Sequence, residues 1–244
     1  WIGDLHYGSI VSPTAGRRKD ANEVQRYLDE RWKRMCDEVG PVDVVVANGD
    51  LCEGSNYKSR GLGIWESDLL EQVEGAVALL EMVDTKKYVG TQGSYYHTGD
   101  NVSTDGLVLK MLKGEFGDEM AMDVEGVGMY FRHAIGVSSS TWQYRSTPVA
   151  KEMLLAVMNE VEIGKFKFMG FNHAHYYVGV QFGDTTGIIG PCWKGRDGFA
   201  KRRSLSMVPR LGYVVVDVDD GKVDFHPHIF TLGGDQIMPR VVIP

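Results

Sequence analysis

The sequence predicts an α/β fold of stacked sheets covered by helices, and three observations carry that expectation. In the first half, short apolar runs alternate with amphipathic stretches at helical spacing. In the second half, short strand-like segments dominate from residue 175 onward. The segments rich in Asp and His each follow a strand-like run directly. That gathers them at the carboxyl edge of a sheet, where open α/β sheets bind ligands. At 244 residues and 43% hydrophobic content the chain suits one such domain with a packed core.

The elements follow in order. Residues 1–3 read as the end of a strand, and the chain starts at Trp1 without an initiator methionine, so upstream sequence is expected to be missing. Residues 21–39 carry Val24, Leu28, Trp32, Met35 and Val39 near helical spacing, with Asp20 as the expected cap and Glu23 three residues on. After Gly40-Pro41, the β-branched run 42–47 reads as a buried strand. Residues 66–83 repeat Leu69, Leu70, Val73, Val77 and Leu80 as an amphipathic helix, and 87–89 form the next strand. Strand, helix, strand in this order implies parallel pairing through crossovers. Further on, 129–133 read as a strand, 148–161 as a helix and 165–170 as a strand. Strands at 176–182, 186–190, 211–218 and 222–230 complete the chain, the last after an Asp219-Asp220-Gly221 turn.

Composition excludes several classes. No run approaches the roughly 18 apolar residues of a membrane span, and nothing at the amino end reads as a signal peptide. Cys36, Cys52 and Cys192 are scattered and odd in number, which argues against a disulfide framework or a thiolate zinc site and favours a reducing, cytoplasmic setting. A net charge of −7 is not the field of a general nucleic-acid binder. One segment runs the other way: Lys194, Arg196, Lys201, Arg202, Arg203 and Arg210 stand against Asp197 alone.

Candidate chemistry lies in five segments: Asp4-Leu5-His6, Gly49-Asp50, Gly90-Thr91-Gln92 with His97 five residues on, His133, and Asn172-His173-Ala174-His175. Asp4 and His6 would share a face of a continuing strand, and so would His173 and His175, because side chains alternate with period two. A turn aspartate is the plain reading of Asp50 alone. With imidazoles at the same edge, its two oxygens could instead bridge cations about 3.5–4 Å apart. Mixed carboxylate and imidazole donors suit Mn, Fe or Zn rather than Ca.

In this order the five segments resemble the signature of the calcineurin-like metallophosphoesterases, from Asp4 to His175 with the strands beyond. The resemblance implies a four-layer metallophosphoesterase-like β-sandwich flanked by helices, two divalent metal ions (manganese expected, with iron or zinc as alternatives), and hydrolysis of a phosphate ester by in-line attack of a metal-activated water. By motif, Asp4, His6 and His175 would hold one metal, Asp50 would bridge, and His133 and His173 would hold the second. Two departures stand out. Asn172 replaces the glycine of Gly-His-x-His, and Gly90-Thr91-Gln92 replaces Gly-Asn-His. Gln92, with Thr91 as competitor, would then take the place of the family's asparagine ligand, and His97 that of the histidine that assists the leaving group. This third segment resembles the form found in phage and prophage members, in a bacterial or phage-infected cell.

The basic segment mixes aromatic with cationic residues, a pattern suited to bases and phosphates, so Lys194 and Arg196 are candidate substrate contacts, as is Arg17 in the loop after His6. These features favour a phosphodiester, DNA or a nucleotide as substrate. A phosphomonoesterase or protein phosphatase is the alternative, and a non-catalytic scaffold of the same fold is another. Asp224, His226 and His228 also alternate, but Pro227 among them marks a solvated edge strand. Gly61 and Gly63 lie in no phosphate-binding fingerprint.

Overall fold

The computed structural model describes residues 1–57, 60–98, 103–136, 142–198 and 208–233. Helix α1 (Glu23–Val39) is followed by strand β1 (Val42–Asn48), helix α2 (Leu69–Leu80) and strand β2 (Thr85–Thr91). Then come the short α3 (Tyr95–Thr98), α4 (Thr104–Met111), β3 (Glu115–Gly117), β4 (Glu119–Val124) and β5 (Val127–Arg132). The chain continues through α5 (Thr147–Met158), α6 (Glu160–Ile163), β6 (Phe168–Phe171), β7 (Val178–Phe182), β8 (Thr185–Ile189), β9 (Leu211–Asp219) and β10 (Lys222–Phe230). Among the described residues no helix is long and apolar enough to cross a membrane.

Two of the helix starts differ from expectation. The capping box of α1 is Asn22 with Gln25, not Asp20 with Glu23: Gln25 N donates to Asn22 Oδ1, and Asn22 N to Gln25 Oε1. Both pairs have the spacing a box needs, and tertiary partners choose between them. Asn22 Nδ2 reaches Ile10 O and Gln25 Nε2 reaches Ser9 O, whereas Asp20 takes the Arg18 guanidinium. Likewise α2 begins three residues after 66, where Asp68 accepts from the amides of Leu70 and Glu71.

Strands β1, β2 and β3 form a parallel sheet in that order. A second sheet runs β4-β5-β6-β8-β7, parallel at its centre and antiparallel at both edges. The hairpin β9–β10 turns at Asp220 (φ 46°) and Gly221 (φ 72°), the left-handed pair that the Asp-Gly sequence predicts.

Alternation along the strands defines four layers. Val45 and Ala47 of β1 pack with Leu28 and Trp32 of α1, Val73 and Leu80 of α2, and Val108 and Leu109 of α4. Val44 and Val46, on the opposite face, pack with Phe131 of β5, Phe168 of β6 and Ile188 of β8. The far face of the second sheet turns Met169, Phe171 and Ile189 onto Val149 and Met153 of α5. Helices, sheet, sheet and helix therefore stack in sequence, which is the expected sandwich flanked by helices. Burial along β1 increases toward its carboxyl end, so Asn48 and the loop after it enter the interior. That burial places the site.

A candidate metal centre at the carboxyl ends of four strands

The loops after β1, β2, β5 and β6 meet the segment 3–9 at one edge of the sandwich. Asp4 N donates to Gly49 O and His6 N to Asp50 O, so the first segment is laced to the β1 loop by its backbone. Asp4 (φ 50°), His6 (φ 50°), Asp50 (φ 50°), His173 (φ 71°) and His175 (φ 54°) all adopt left-handed backbone. This corrects the expectation of continuing strands: Asp4 with His6, and His173 with His175, converge through left-handed turns and not through period-two alternation. Such conformations are costly for residues with a Cβ, persist where surrounding structure enforces them, and cluster at functional sites.

Asp50 Oδ2 is the hub. It lies 3.0 Å from His133 Nε2, 3.7 Å from His97 Nε2, 3.9 Å from His173 Nδ1 and 4.0 Å from His6 Nε2. Its other oxygen accepts from Ser94 N at 2.6 Å. Beside it, Asp4 Oδ1 lies 3.2 Å from His175 Nε2 and 3.7 Å from His6 Nε2, while Asp4 Oδ2 accepts from His173 N. Three donor groups result: Asp4, His6 and His175; Asp50, His133 and His173; and His6, Asp50 and His97. Within each, the donor atoms lie within 4.8 Å of one another.

Two observations fit cations to these donors. Asp4 Oδ1 and His133 Nε2 are buried and complete no hydrogen bond, each having only an ion-pair contact, to His175 Nε2 at 3.2 Å and to Asp50 Oδ2 at 3.0 Å. His6 Nε2 and His175 Nε2 also face each other at 3.2 Å, a pairing of ring nitrogens that a shared cation explains. The carboxylates are poised to be ionised. Burial opposes charge on Asp4 and Asp50, but His175 beside Asp4, and His133 and His97 beside Asp50, hold both well below the usual carboxylate range. Burial likewise opposes charge on His133, yet the Asp50 carboxylate outweighs it and brings that imidazole up to about 9. For His97 burial wins, lowering it to about 4 against the pull of Asp50.

The remaining predicted residues fall in different places. His97 Nδ1 bonds Glu53 O at 3.0 Å, which turns Nε2 toward Asp50. The Gln92 amide oxygen accepts from Ser103 Oγ at 2.5 Å, and Thr91 Oγ1 donates to Asn48 Oδ1. The side chain of the 91–94 segment that meets the centre is Ser94. Asn172 covers Gly3 so closely that a Cβ there would lie 2.4 Å from its side chain. Its amide ties Trp1, Asn48 and Pro191 together, so the bulk of Asn172 is matched by a glycine opposite. Arg17 pairs with Glu71 and Glu74 on α2. Lys194 is buried between Glu53 and Asp197, which corrects its reading as a substrate contact, since two carboxylates already hold its ammonium inside. Arg196 is partly buried in the same segment, and Lys201, Arg202 and Arg203 lie outside the described residues.

Sequence reasoning missed four supports. Asp105 of α4 is fully buried and accepts from Leu51 N and Gly93 N, clamping the β1 and β2 loops together; burial and the nearby Asp50 push it up to about 6. Gly93 passes so near that a Cβ would come within 2.2 Å of Asp50 N. Ser94 and Glu53 complete the set. Only Glu53 had a signal, three residues after Asp50 in an otherwise apolar turn.

No family model and no curated protein matches the chain. Solved structures resemble it at low identity. A single-mutant Vps29 from Entamoeba histolytica is 14% identical, with a TM-score of 0.47 over 94% of this chain and 97% of that one. An archaeal phosphodiesterase is 9% identical at a TM-score of 0.47, again over 94% and 97%. A Streptococcus pneumoniae protein described as a predicted phosphoesterase is 14% identical at a TM-score of 0.41, over 92% and 85%.

Proposed function

We propose that this chain is a two-cation phosphoesterase of the calcineurin-like type, in a phage-type variant, acting on a phosphodiester such as DNA or a nucleotide in a cytoplasmic setting. The observation that carries the reading is Asp50 Oδ2, surrounded by four imidazole nitrogens, with Asp50 shared by two of the three donor groups. Asp4, His6 and His175 would hold one divalent cation, and His133 and His173 the other, with Asp50 between them. When bound, such a pair neutralises the phosphoryl oxygens and lowers the pKa of a water at the site. Manganese is the first choice to test, with iron and zinc as alternatives.

The chain's own residues supply the rest. Asn48 O and Asp105 fix the loops that carry His133 and Asp50. His97 handles the leaving-group proton at Nε2, since Nδ1 is committed to Glu53 O. Burial disfavours its imidazolium, and an anionic phosphate beside the ring would favour it. His173 and His175 are the more exposed donors and line the side from which substrate enters.

A second reading, a scaffold of the same fold without catalysis, is favoured by one observation: the Gln92 amide oxygen and the Thr91 hydroxyl are each engaged elsewhere, with Ser103 and Asn48. Hydrolysis of bis(p-nitrophenyl) phosphate with added Mn²⁺ separates the two. Turnover abolished by chelator and by Asp50→Asn supports the enzyme. Activity no higher than that of the variant leaves the scaffold or a monoesterase, which p-nitrophenyl phosphate then distinguishes.

A further inference from the structure

Glu53 belongs to none of the three donor groups, yet it is 2% exposed and lies against two of the imidazoles. Its carboxylate receives Lys194 Nζ at 3.0 and 2.8 Å and Asn56 Nδ2 at 2.7 Å. Glu53 Oε2 lies 3.0 Å from His6 Nδ1, an ion-pair contact in which Nδ1 completes no hydrogen bond. Its backbone oxygen takes His97 Nδ1 at 3.0 Å, and its amide donates to Tyr7 O. Lys194 in turn is 4% exposed and held on its other side by Asp197 at 3.0 Å.

Carbonyl and carboxylate oxygens only accept, so the bond to Glu53 O puts a proton on His97 Nδ1, and the 3.0 Å approach of the Glu53 carboxylate favours one on His6 Nδ1; in each neutral ring Nε2 is then the lone-pair atom. Those Nε2 atoms face Asp50. We propose that Glu53 is a positioning residue that sets the tautomer and direction of His6 for cation binding and of His97 for proton transfer, and that Lys194 is its internal counter-ion. This rests on the two-cation reading above. An unpaired buried carboxylate would be costly, and the lysine removes that cost, its ammonium held between Glu53 and Asp197. Carboxylate partners of this kind typically change metal affinity 10–100-fold when removed.

The test uses the full chain, stripped with chelator. Long-range proton–nitrogen spectra of ¹⁵N-histidine protein report the tautomers, with His6 and His97 assigned by loss of their signals in His6→Gln and His97→Gln. Titration calorimetry with Mn²⁺ alone reports affinity. In the wild type both rings should be protonated on Nδ1. In Glu53→Leu/Lys194→Met, His6 should become a tautomer mixture while His97, held by the backbone, keeps Nδ1–H, and Mn²⁺ affinity should fall 10–100-fold. A purely structural role would not move one ring and spare the other. Wild-type His6 protonated on Nε2, or a folded double variant that binds Mn²⁺ within twofold of wild type, overturns the proposal. Should the double variant not fold, the wild-type tautomer decides alone. A wild type that binds no Mn²⁺ defeats the two-cation reading, and the tautomers still judge Glu53 separately.

Discussion

Two places in this molecule hold alternating acids and histidines, and they differ in almost every physical respect. At the sandwich edge, Asp4, His6, Asp50 and His133 are buried, and five residues of the site sit in left-handed backbone. On β10, Asp224, His226 and His228 lie in a regular strand paired with β9. His226 meets Asp217 at 3.2 Å with both side chains more than half exposed, and His228 stacks on Tyr213 with ring centroids 4.6 Å apart. The sequence pattern is similar. What separates them is convergence: the edge brings donors from four loops onto one carboxylate oxygen, while the hairpin displays its histidines singly against water. Spacing nominates a site, and burial with enforced backbone makes one.

The contrast can be broken most severely at its hub. Asp50→Asn should lower diesterase turnover by roughly 10³-fold, about 4 kcal/mol of lost charge stabilisation, with the circular dichroism spectrum unchanged. Wild-type activity in that variant would remove Asp50 from between the cations. Next in size, His175→Ala should cost about one of two bound metal equivalents by elemental analysis, because it takes a donor from the Asp4 side only. Retention of both equivalents would move that cation elsewhere. His97→Ala should reduce kcat by about 10²-fold and leave metal content intact, as expected of a group that handles a proton. Loss of a metal instead would make His97 a ligand, as its grouping with His6 and Asp50 permits. Gln92→Ala should cost about 1 kcal/mol of stability, the worth of one hydrogen bond to Ser103, with little change in kcat. Smallest of all, His226→Ala should leave metal binding and turnover within twofold of wild type. A drop there would make the hairpin part of the site and erase the comparison.

Much of the fold was legible because hydrophobic period survives folding. The β-branched run of β1, the amphipathic α1 and α2, and the Asp-Gly turn of the last hairpin each state their structure locally. What was missed lies between them. Strand β4 alternates exposed and half-buried residues, a period-two signal in Glu119–Val124 that went unread, and the short α4 carries too few residues to show a period. Which residues converge at the site was also legible as motif, yet their geometry was not, since left-handed turns replace the strands that spacing suggests. Lys194 looked like a surface cation because the carboxylate that buries it lies 141 residues away in the chain. Local spacing likewise does not show the Ser103 partner of Gln92, which lies on the cap of α4. Glu53, Ser94 and Asp105 act on backbone and on other side chains, and such support carries no motif.

The most direct measurement is the stoichiometry of Mn²⁺ binding to chelator-stripped protein, read by titration calorimetry for the wild type and for Asp50→Asn. The account predicts two equivalents in the wild type, with weakened binding at both positions in the variant because one carboxylate stands between them. A wild type that binds one equivalent or none, or a variant that binds two with unchanged affinity, would contradict a centre organised on Asp50.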